Sequence, residues 1–231
     1  MTPPGDSVRE LFDDNAATYD RVNTIISLGL DSRWRRWAAT RAVRRPAARV
    51  LDAFAGTGLV GLAAARLGGR VTLADVSEGM LAVAGRRARA AHADVAAVVT
   101  DLTCEPATVP GEPFDAITIV FGARYLDDPS RVMRSLSQLL VPGGRLVVVD
   151  FAEPCRGWPA RAAWWYFSRV LPSVAGALAG HRELYDRLVS TTRHMDGPRD
   201  LATAVADAGL DITERATMGF GIVTGLVATR G

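Results

Sequence analysis

The feature that most constrains the fold is a hydrophobic stretch that ends in an acid and is followed by two glycines. Residues 49–52 (Arg-Val-Leu-Asp) predict a buried strand, and Gly56 and Gly58 predict a tight turn where a ligand can approach bare backbone. A second apolar run leads to Asp75. Doubly wound folds place an acid that binds ribose hydroxyls there, roughly 20 residues after the turn. Together the two halves predict one nucleotide-type site.

The spacing of the glycines leaves two cofactors open. Gly61 completes the G-x-G-x-x-G pattern of dinucleotide sites, which keeps an NAD-dependent dehydrogenase as an alternative. Asp52 favours a different ligand, because an acid before the turn repels a pyrophosphate but suits a cation. S-adenosylmethionine carries a sulfonium and an ammonium group and no phosphate. The chain also has no lysine, and therefore no catalytic Tyr-x-x-x-Lys pair, so we favour a methyltransferase over a dehydrogenase. A turn without any ligand is the third interpretation.

Composition restricts the class of protein. The chain has 231 residues, of which 48% are hydrophobic, enough for one α/β domain with a full core. A formal net charge of +2 argues against a nucleic-acid partner. Cys104 and Cys155 are isolated, and no two of the three histidines are spaced i, i+4, so we expect no metal. With neither a signal peptide nor an apolar run of membrane-spanning length, the sequence predicts a cytoplasmic protein.

Strand and helix signals alternate along the chain. Strands are predicted at 49–53, 70–75, 95–100, 115–120, 145–151, 210–217 and 221–229. Helices are predicted at 8–20, 32–43, 59–67, 78–91, 129–140 and 198–208. Ser77 and Asp128 are predicted N-caps, and residues 141–144 (Val-Pro-Gly-Gly) are predicted as a turn before the fifth strand. The alternation predicts an α/β fold with a doubly wound, mostly parallel sheet, whose ligands bind outside the carboxyl ends of the strands.

We expect one domain with four parts: an N-terminal helical segment (1–48), a cofactor-binding core (49–151), a helical cap on the substrate side (152–195), and a C-terminal helix with two strands (196–231). The cap is rich in aromatic residues, namely Trp158, Trp164, Trp165, Tyr166 and Phe167. They fit either an apolar lid over an acceptor or ordinary core packing, and Trp and Tyr also suit a membrane interface. The arginines between residues 33 and 45 fit a solvated helix face better than a lipid contact.

Two segments resemble a known family closely. They are residues 12–23 (Phe-Asp-Asp-Asn-Ala-Ala-Thr-Tyr-Asp-Arg-Val-Asn) and residues 117–124 (Ile-Thr-Ile-Val-Phe-Gly-Ala-Arg). With the glycine turn and residues 139–146, which are common to class I methyltransferases generally, they resemble the UbiE/COQ5 family. Enzymes of that family C-methylate quinone precursors such as demethylmenaquinol. The resemblance covers nearly the whole chain and implies a seven-stranded Rossmann-like methyltransferase sheet.

The resemblance also implies the site residues. Those implied for S-adenosylmethionine are Tyr19, Asp52, Ala53, Ala55, Gly56, Gly58, Asp75, Val76, Met80, Asp101, Leu102, Phe121 and Gly122. Asp75 would hold the ribose, and Tyr19 would close over the cofactor. Arg124 matches a family position suspected of acting in catalysis. Methyl transfer needs mainly an in-line geometry, with a base to take a proton. The candidates for that catalytic role are Arg124, Tyr125, Tyr19 and His181.

One departure from the family concerns the acceptor. The family motif Phe-Gly-x-Arg-Asn ends here in Tyr125, so a phenol replaces an amide at a position that faces the substrate in the family. We therefore expect a small apolar or aromatic acceptor, either a quinol or a specialised metabolite, methylated at carbon or oxygen. A cofactor-binding cyclase that transfers no methyl group is the alternative from another class. Peripheral membrane contact and a homodimer stay open.

Overall fold

The computed structural model describes residues 19–111, 113–152, 158–171, 173–174 and 198–231. Most of the predicted helix 8–20 and of the predicted cap 152–195 lies outside the described residues, and so do Cys155, His181 and His194. Tyr19 is described only as the first residue of a helix, without its side chain.

Helices and strands alternate along the described chain, as the sequence predicts. The helices are α1 (Tyr19–Ile26), α2 (Leu30–Ala42), α3 (Leu59–Arg66), α4 (Glu78–Ala90), α5 (Pro129–Ser137), α6 (Trp158–Trp165) and α7 (Pro198–Asp207). The strands are β1 (Arg49–Ala53), β2 (Arg70–Asp75), β3 (Val95–Val99), β4 (Phe114–Val120), β5 (Leu140–Phe151), β6 (Leu210–Met218) and β7 (Val223–Arg230). A π-helical turn, Tyr166–Val170, continues α6.

The seven strands form one sheet in the order β3-β2-β1-β4-β5-β7-β6. The first five run parallel, whereas β7 lies antiparallel to both β5 and β6. The predicted α/β class, with a mostly parallel sheet of seven strands, is therefore confirmed. Because Ala53 pairs with Ala74 on one side and Ile119 on the other, β1, β2 and β4 end at the same edge. That edge carries the candidate site.

Both faces of the sheet are covered, which explains the almost continuous apolar runs of the central strands. Side chains alternate between the faces, as with Val50 and Leu51 of β1. The Val50 face packs against α2, α3 and α4, through residues such as Trp34, and the Leu51 face packs against α5 and α7. Helices thus sandwich the sheet and leave its carboxyl edge for the loops.

The boundary between α5 and β5 differs from the prediction. The helix ends at Ser137 rather than at residue 140, and residues 141–144 lie within β5 instead of forming a turn before it. Leu140 already pairs with Phe114, the next pairing joins Arg145 to Ala116, and the residues between form a bulge. The predicted caps are confirmed: the side chain of Ser77 accepts a hydrogen bond from the N–H of Met80, and that of Asp128 accepts one from the N–H of Arg131.

Candidate active site

The loop between β1 and α3 is a tight turn built on left-handed backbone. Phe54, Gly56 and Gly58 all have positive φ, at 57°, 53° and 74°. At Gly58 a Cβ would lie 2.8 Å from the Cβ of Ala84, so α4 closes that side of the turn. At Gly56 a Cβ would meet no atom of the described residues within 4 Å. The turn therefore presents open backbone at Gly56, as the sequence predicts for a ligand-binding loop.

The carboxylate of Asp75 joins the turn to the end of β2. One of its oxygens accepts the N–H of Gly56 at 2.7 Å, and the other accepts the N–H of Ser77 at 2.9 Å. The two bonds fix the carboxylate at the edge of the sheet, where it is half-buried. A carboxylate at this position is the group that binds ribose hydroxyls in doubly wound folds.

Asp52 lies beneath the turn. Its carboxylate is buried and accepts the Gly61 N–H at 2.8 Å and the Thr118 hydroxyl at 2.6 Å. Burial raises the pKa of Asp52 to about 7, a rise that the nearby carboxylate of Asp75 reinforces and the two hydrogen bonds oppose. Asp52 and its fully buried neighbour Ala53 thus underlie the turn, and the charge of Asp52 would act on a bound cation across it.

The Asp52 carboxylate also distinguishes between the two cofactors that the glycine spacing leaves open, NAD and S-adenosylmethionine. A dinucleotide places its pyrophosphate at the N-terminus of the helix after the turn. Here the Asp52 carboxylate already occupies that position, on the N–H of Gly61. Gly61 itself serves packing, since a Cβ there would lie 2.2 Å from Leu73 Cδ2. An open glycine turn, an acid at the end of β2 and a carboxyl group in place of a phosphate site fit S-adenosylmethionine.

The remaining cofactor candidates follow the ends of β2 and β3. Val76 is exposed, whereas Met80 and Leu102 are almost fully buried. The Asp101 carboxylate accepts hydrogen bonds from the N–H and hydroxyl of Thr103. Ala55 is half-buried within the turn. The adenine contacts expected of these residues stay predictions.

Phe121 and Gly122, at the end of β4, adjoin the turn from the other side. A Cβ at Gly122 would lie 3.1 Å from the Cβ of Phe54. Phe121 has a φ of 62°, so β4 ends in a sharp change of direction. The loops after β1, β2 and β4 therefore converge, as expected if the ligand binds outside the carboxyl ends of the strands.

Arg124 lies just beyond, in the 3-10 turn Ala123–Tyr125, and forms a buried ion pair with Asp150 near the end of β5. The side chain of Arg124 is 2% exposed and that of Asp150 is 0% exposed. The guanidinium donates to one carboxylate oxygen, and the backbone N–H of Arg124 donates to the other at 3.1 Å. Sequence reasoning missed the role of Asp150, although an acid at the end of the strand beside β4 was the available signal.

Aromatic rings surround this ion pair. The guanidinium carbon of Arg124 lies 4.7 Å from the ring centroid of Tyr125, 5.3 Å from that of Phe151 and 5.8 Å from that of Phe121. Phe121 and Phe151 stack at 4.9 Å, and Trp34 meets both edge-on. Trp34 and Phe151 were not expected in the site.

The contacts continue from Phe151 to Phe167 at 4.8 Å and on to Trp164 at 5.3 Å. We call these five rings the aromatic wall: Trp34, Phe121, Phe151, Trp164 and Phe167. Of the aromatic residues predicted as a lid or as core, Trp164 and Phe167 thus face inward, whereas Trp158 and Trp165 are exposed.

Within the part of the chain that the structure describes, no group of three His, Cys, Asp or Glu side chains is arranged to hold a metal ion. The described helices include none that is long and apolar enough to cross a membrane.

A sheet of this strand order, with a glycine turn after β1 and an acid at the end of β2, defines a class I methyltransferase that depends on S-adenosylmethionine. More narrowly, the chain belongs to the ubiE/COQ5 methyltransferase family, whose sequence profile matches residues 3–230. The resemblance predicted from the sequence is confirmed, and the dehydrogenase alternative and the turn without a ligand are wrong.

Individual relatives support this assignment. The chain is 35% identical over 204 residues to a demethylmenaquinone methyltransferase of Thermus thermophilus, covering 87% of this chain and 92% of that one. It is 33% identical over 235 residues to the ubiquinone/menaquinone biosynthesis C-methyltransferase UbiE of Geobacter sulfurreducens, covering 100% and 91%. Its fold is similar to that of magnesium protoporphyrin IX methyltransferase from Synechocystis, solved with S-adenosylmethionine bound, with a TM-score of 0.67, 17% identity and coverage of 100% and 99%.

Proposed function

We propose that this methyltransferase acts on a ring carbon of a reduced quinone precursor, an acceptor of the demethylmenaquinol type. The names of the relatives support a quinone-like acceptor. The structural observation that carries the proposal is the Arg124–Asp150 pair, which holds a buried cation among aromatic rings next to the cofactor turn. An acceptor with a flat ring and an ionisable hydroxyl matches both features.

The aromatic wall suits the ring of such an acceptor. Aromatic pairs prefer offset stacking or edge-to-face contacts, and Phe121, Phe151 and Trp34 offer both kinds of surface. The same rings exclude water from the acceptor. An apolar tail on the acceptor would extend along Phe167 and Trp164 toward α6.

Arg124 acts in this proposal as an anion clamp. When bound, S-adenosylmethionine supplies an electrophilic methyl group, and its transfer to the acceptor carbon leaves S-adenosylhomocysteine. The guanidinium stays protonated and stabilises the acceptor as a phenolate, whose hydroxyl proton has passed to solvent, and the anionic oxygen raises the electron density at the neighbouring ring carbon. Asp150 orients the guanidinium by accepting from both its Nη1 and the backbone N–H.

After methyl transfer the ring carbon must also lose its proton, and the Tyr125 hydroxyl is the described candidate to relay it to solvent by passing on its own proton as it accepts this one. Its side chain is half-buried and its ring lies 4.7 Å from the Arg124 guanidinium. Asp75 binds the ribose, and the open backbone at Gly56 receives the methionine part of the cofactor. The resemblance to the family also implies catalytic roles for Tyr19 and His181. We keep both as proposals, although the structure does not describe their side chains.

Tyr125 favours a second candidate acceptor, a specialised metabolite. In the family motif this position carries an asparagine, and the phenol fills more of the space beside Arg124. The reaction class and the cofactor are the same in both cases.

The test is a mass-spectrometric assay with S-adenosylmethionine and a reduced, short-chain demethylmenaquinone. We expect a product heavier by one methyl group and an equal amount of S-adenosylhomocysteine. Arg124→Lys keeps the charge but loses the planar fork, and it should lower kcat at least roughly tenfold with cofactor affinity unchanged. Tyr125→Phe, which keeps the ring but removes the hydroxyl that carries the proton, should lower kcat about a hundredfold with cofactor affinity unchanged.

Three results would contradict the proposal. Absence of product while S-adenosylmethionine binds normally would reject the quinol acceptor and leave the specialised metabolite. An altered acceptor without release of S-adenosylhomocysteine would indicate a cyclase. Full activity of Arg124→Lys would show that Arg124 does not act as an anion clamp.

A further inference from the structure

The helix α6 and its π-helical continuation have two different faces. One face packs into the protein through Ala160, Phe167 and Leu171, which are all buried. On the opposite face Trp158 is 80% exposed and Trp165 is 62% exposed. The two tryptophans are seven residues apart, close to two helical turns, so they lie on the same side of the helix. Exposure of two tryptophans on one stripe calls for a partner.

A third exposed aromatic residue lies beside this helix. Phe220 stands in the turn Gly219–Gly221 between β6 and β7, and this turn packs against α6. Phe220 is 72% exposed and has a φ of 58°, in the left-handed region that a bulky residue rarely adopts. A glycine would relieve the strain, so a phenylalanine held there in solvent indicates a function for its ring.

Residues 158–171, which form α6 and its continuation, carry positive charge. Arg161 and Arg169 are exposed on α6 and its continuation, and residues 158–171 contain no acidic residue. Aromatic rings flanked by arginines on a surface helix are the pattern of an interfacial helix, whose rings enter the headgroup region while the arginines meet anionic lipids.

We propose that this surface, the aromatic–arginine face (Trp158, Arg161, Trp165, Arg169 and Phe220), docks on an anionic lipid bilayer. The inner side of the same helix carries Trp164 and belongs to the aromatic wall, which leads through Phe167 and Phe151 to Phe121 beside the cofactor turn. Docking would therefore bring the wall within about one helix diameter, roughly 10 Å, of the lipid. An apolar acceptor dissolved in the bilayer would have a short path to it.

A second copy of the chain fits this face less well. In a two-fold contact of the face with itself, the arginines of both copies would approach one another without a compensating acid on residues 158–171. The positive charge thus favours a negatively charged surface over self-association.

The test measures binding of the full chain, saturated with S-adenosylmethionine, to sedimented vesicles. The vesicles contain either equal parts of phosphatidylglycerol and phosphatidylcholine or phosphatidylcholine alone. We expect binding to the anionic vesicles with a blue shift of tryptophan fluorescence. Trp158→Ser with Trp165→Ser should weaken binding at least roughly tenfold, and Phe220→Ser about threefold, because each removes an aromatic anchor. Arg161→Gln with Arg169→Gln should abolish the preference for phosphatidylglycerol.

Val99→Ser is the matched control, since Val99 is 57% exposed on β3, at the opposite edge of the sheet from β6. It should bind vesicles like the wild type. Unchanged affinity for S-adenosylmethionine shows that each variant is folded. Equal vesicle binding by the wild type and the double tryptophan variant would overturn the proposal. So would no binding by the wild type, or a dimer that the tryptophan substitutions dissociate. Because the assay contains no acceptor, its failure leaves the proposed quinol methylation untouched.

Discussion

Asp52 and Asp75 end neighbouring strands but have different surroundings. Asp75 is half-buried at the sheet edge and takes two backbone N–H groups, whereas Asp52 is buried beneath the turn. The sequence identified both residues, because each follows an apolar run and stands beside a turn signal. It did not reveal Asp150, because the partner of Arg124 depends on which strand lies next to β4, and pairing between strands is set by the whole sheet.

Asp75→Asn should weaken binding of S-adenosylmethionine by more than roughly tenfold, because charge-assisted hydrogen bonds contribute about 1.5–3 kcal/mol. Isothermal calorimetry measures the affinity. Asp211→Asn, an equivalent change on the exposed side of β6, is the control and should bind normally. Wild-type affinity in Asp75→Asn would remove the residue from the cofactor site.

The raised pKa of Asp52 predicts a pH-dependent stability. The folded protein keeps the proton up to about pH 7, whereas the unfolded chain releases it near the ordinary value of 3.8. The stability that the protonated Asp52 contributes to the folded protein is therefore fully present below about pH 4 and is lost as the pH rises through 7.

Asp52→Asn tests this dependence, since the amide can still accept from Gly61 and donate to Thr118. Between pH 5 and pH 8 the wild type should lose on the order of 2 kcal/mol of unfolding free energy relative to the variant. Urea unfolding at both pH values measures the difference. An identical difference at pH 5 and pH 8 would show that Asp52 titrates normally.

At the scale of elements, the periodicity of the sequence located the described strands and most helices within a few residues. It failed where two signals overlap. Residues 141–144 carry the composition of a turn, yet Leu140 already pairs with Phe114, so the segment bulges out of a continuous strand. Local composition favours a turn there, and tertiary pairing overrides it. The sequence likewise did not predict which face of α6 is buried, because aromatic residues occupy both faces.

The packing of α3 on β2 depends on Gly61. A Cβ at this position would lie 2.2 Å from Leu73 Cδ2 and 3.0 Å from Val71 Cγ1. Gly61→Ala should therefore lower the unfolding free energy by about 1–3 kcal/mol through overpacking, in spite of the better helix propensity of alanine.

Gly85→Ala is the matched control on α4, where the nearest atom to a new Cβ is Arg89 Nη1 at 3.5 Å. This variant should gain about 0.5–1 kcal/mol from helix propensity alone. Chemical unfolding of both variants measures the contrast, and a stabilised Gly61→Ala would mean that the helix shifts away without cost.

At the scale of the whole molecule, the order of strands and helices in the sequence was enough to predict the sheet and the edge at which ligands bind. The acceptor region was harder to predict, because the aromatic wall joins rings from α2, the ends of β4 and β5, and α6. Residues so far apart in sequence meet only through the completed fold.

Cofactor binding should stabilise the entire domain. S-adenosylmethionine at 100 times its Kd should add about 2.7 kcal/mol to the unfolding free energy. For a chain of this size the melting temperature should rise by roughly 5–10 °C. Differential scanning fluorimetry measures the shift, with NADH as the matched control that should cause none. An equal shift with NADH would contradict the assignment of the turn to a ligand without phosphate.

The position of β7 in the sheet has a consequence for biosynthesis. β7 lies between β5 and β6, although it follows both of them in the chain. On the ribosome, β5 and β6 therefore emerge before the strand that separates them, so β5 waits with one unpaired edge and β6 waits without its partner strand. A nascent chain that stalls short of residue 223 exposes the kind of edge that recruits strands from other molecules. Completion of the sheet, and with it protection from aggregation, depends on β7, which is synthesised after both of its neighbours.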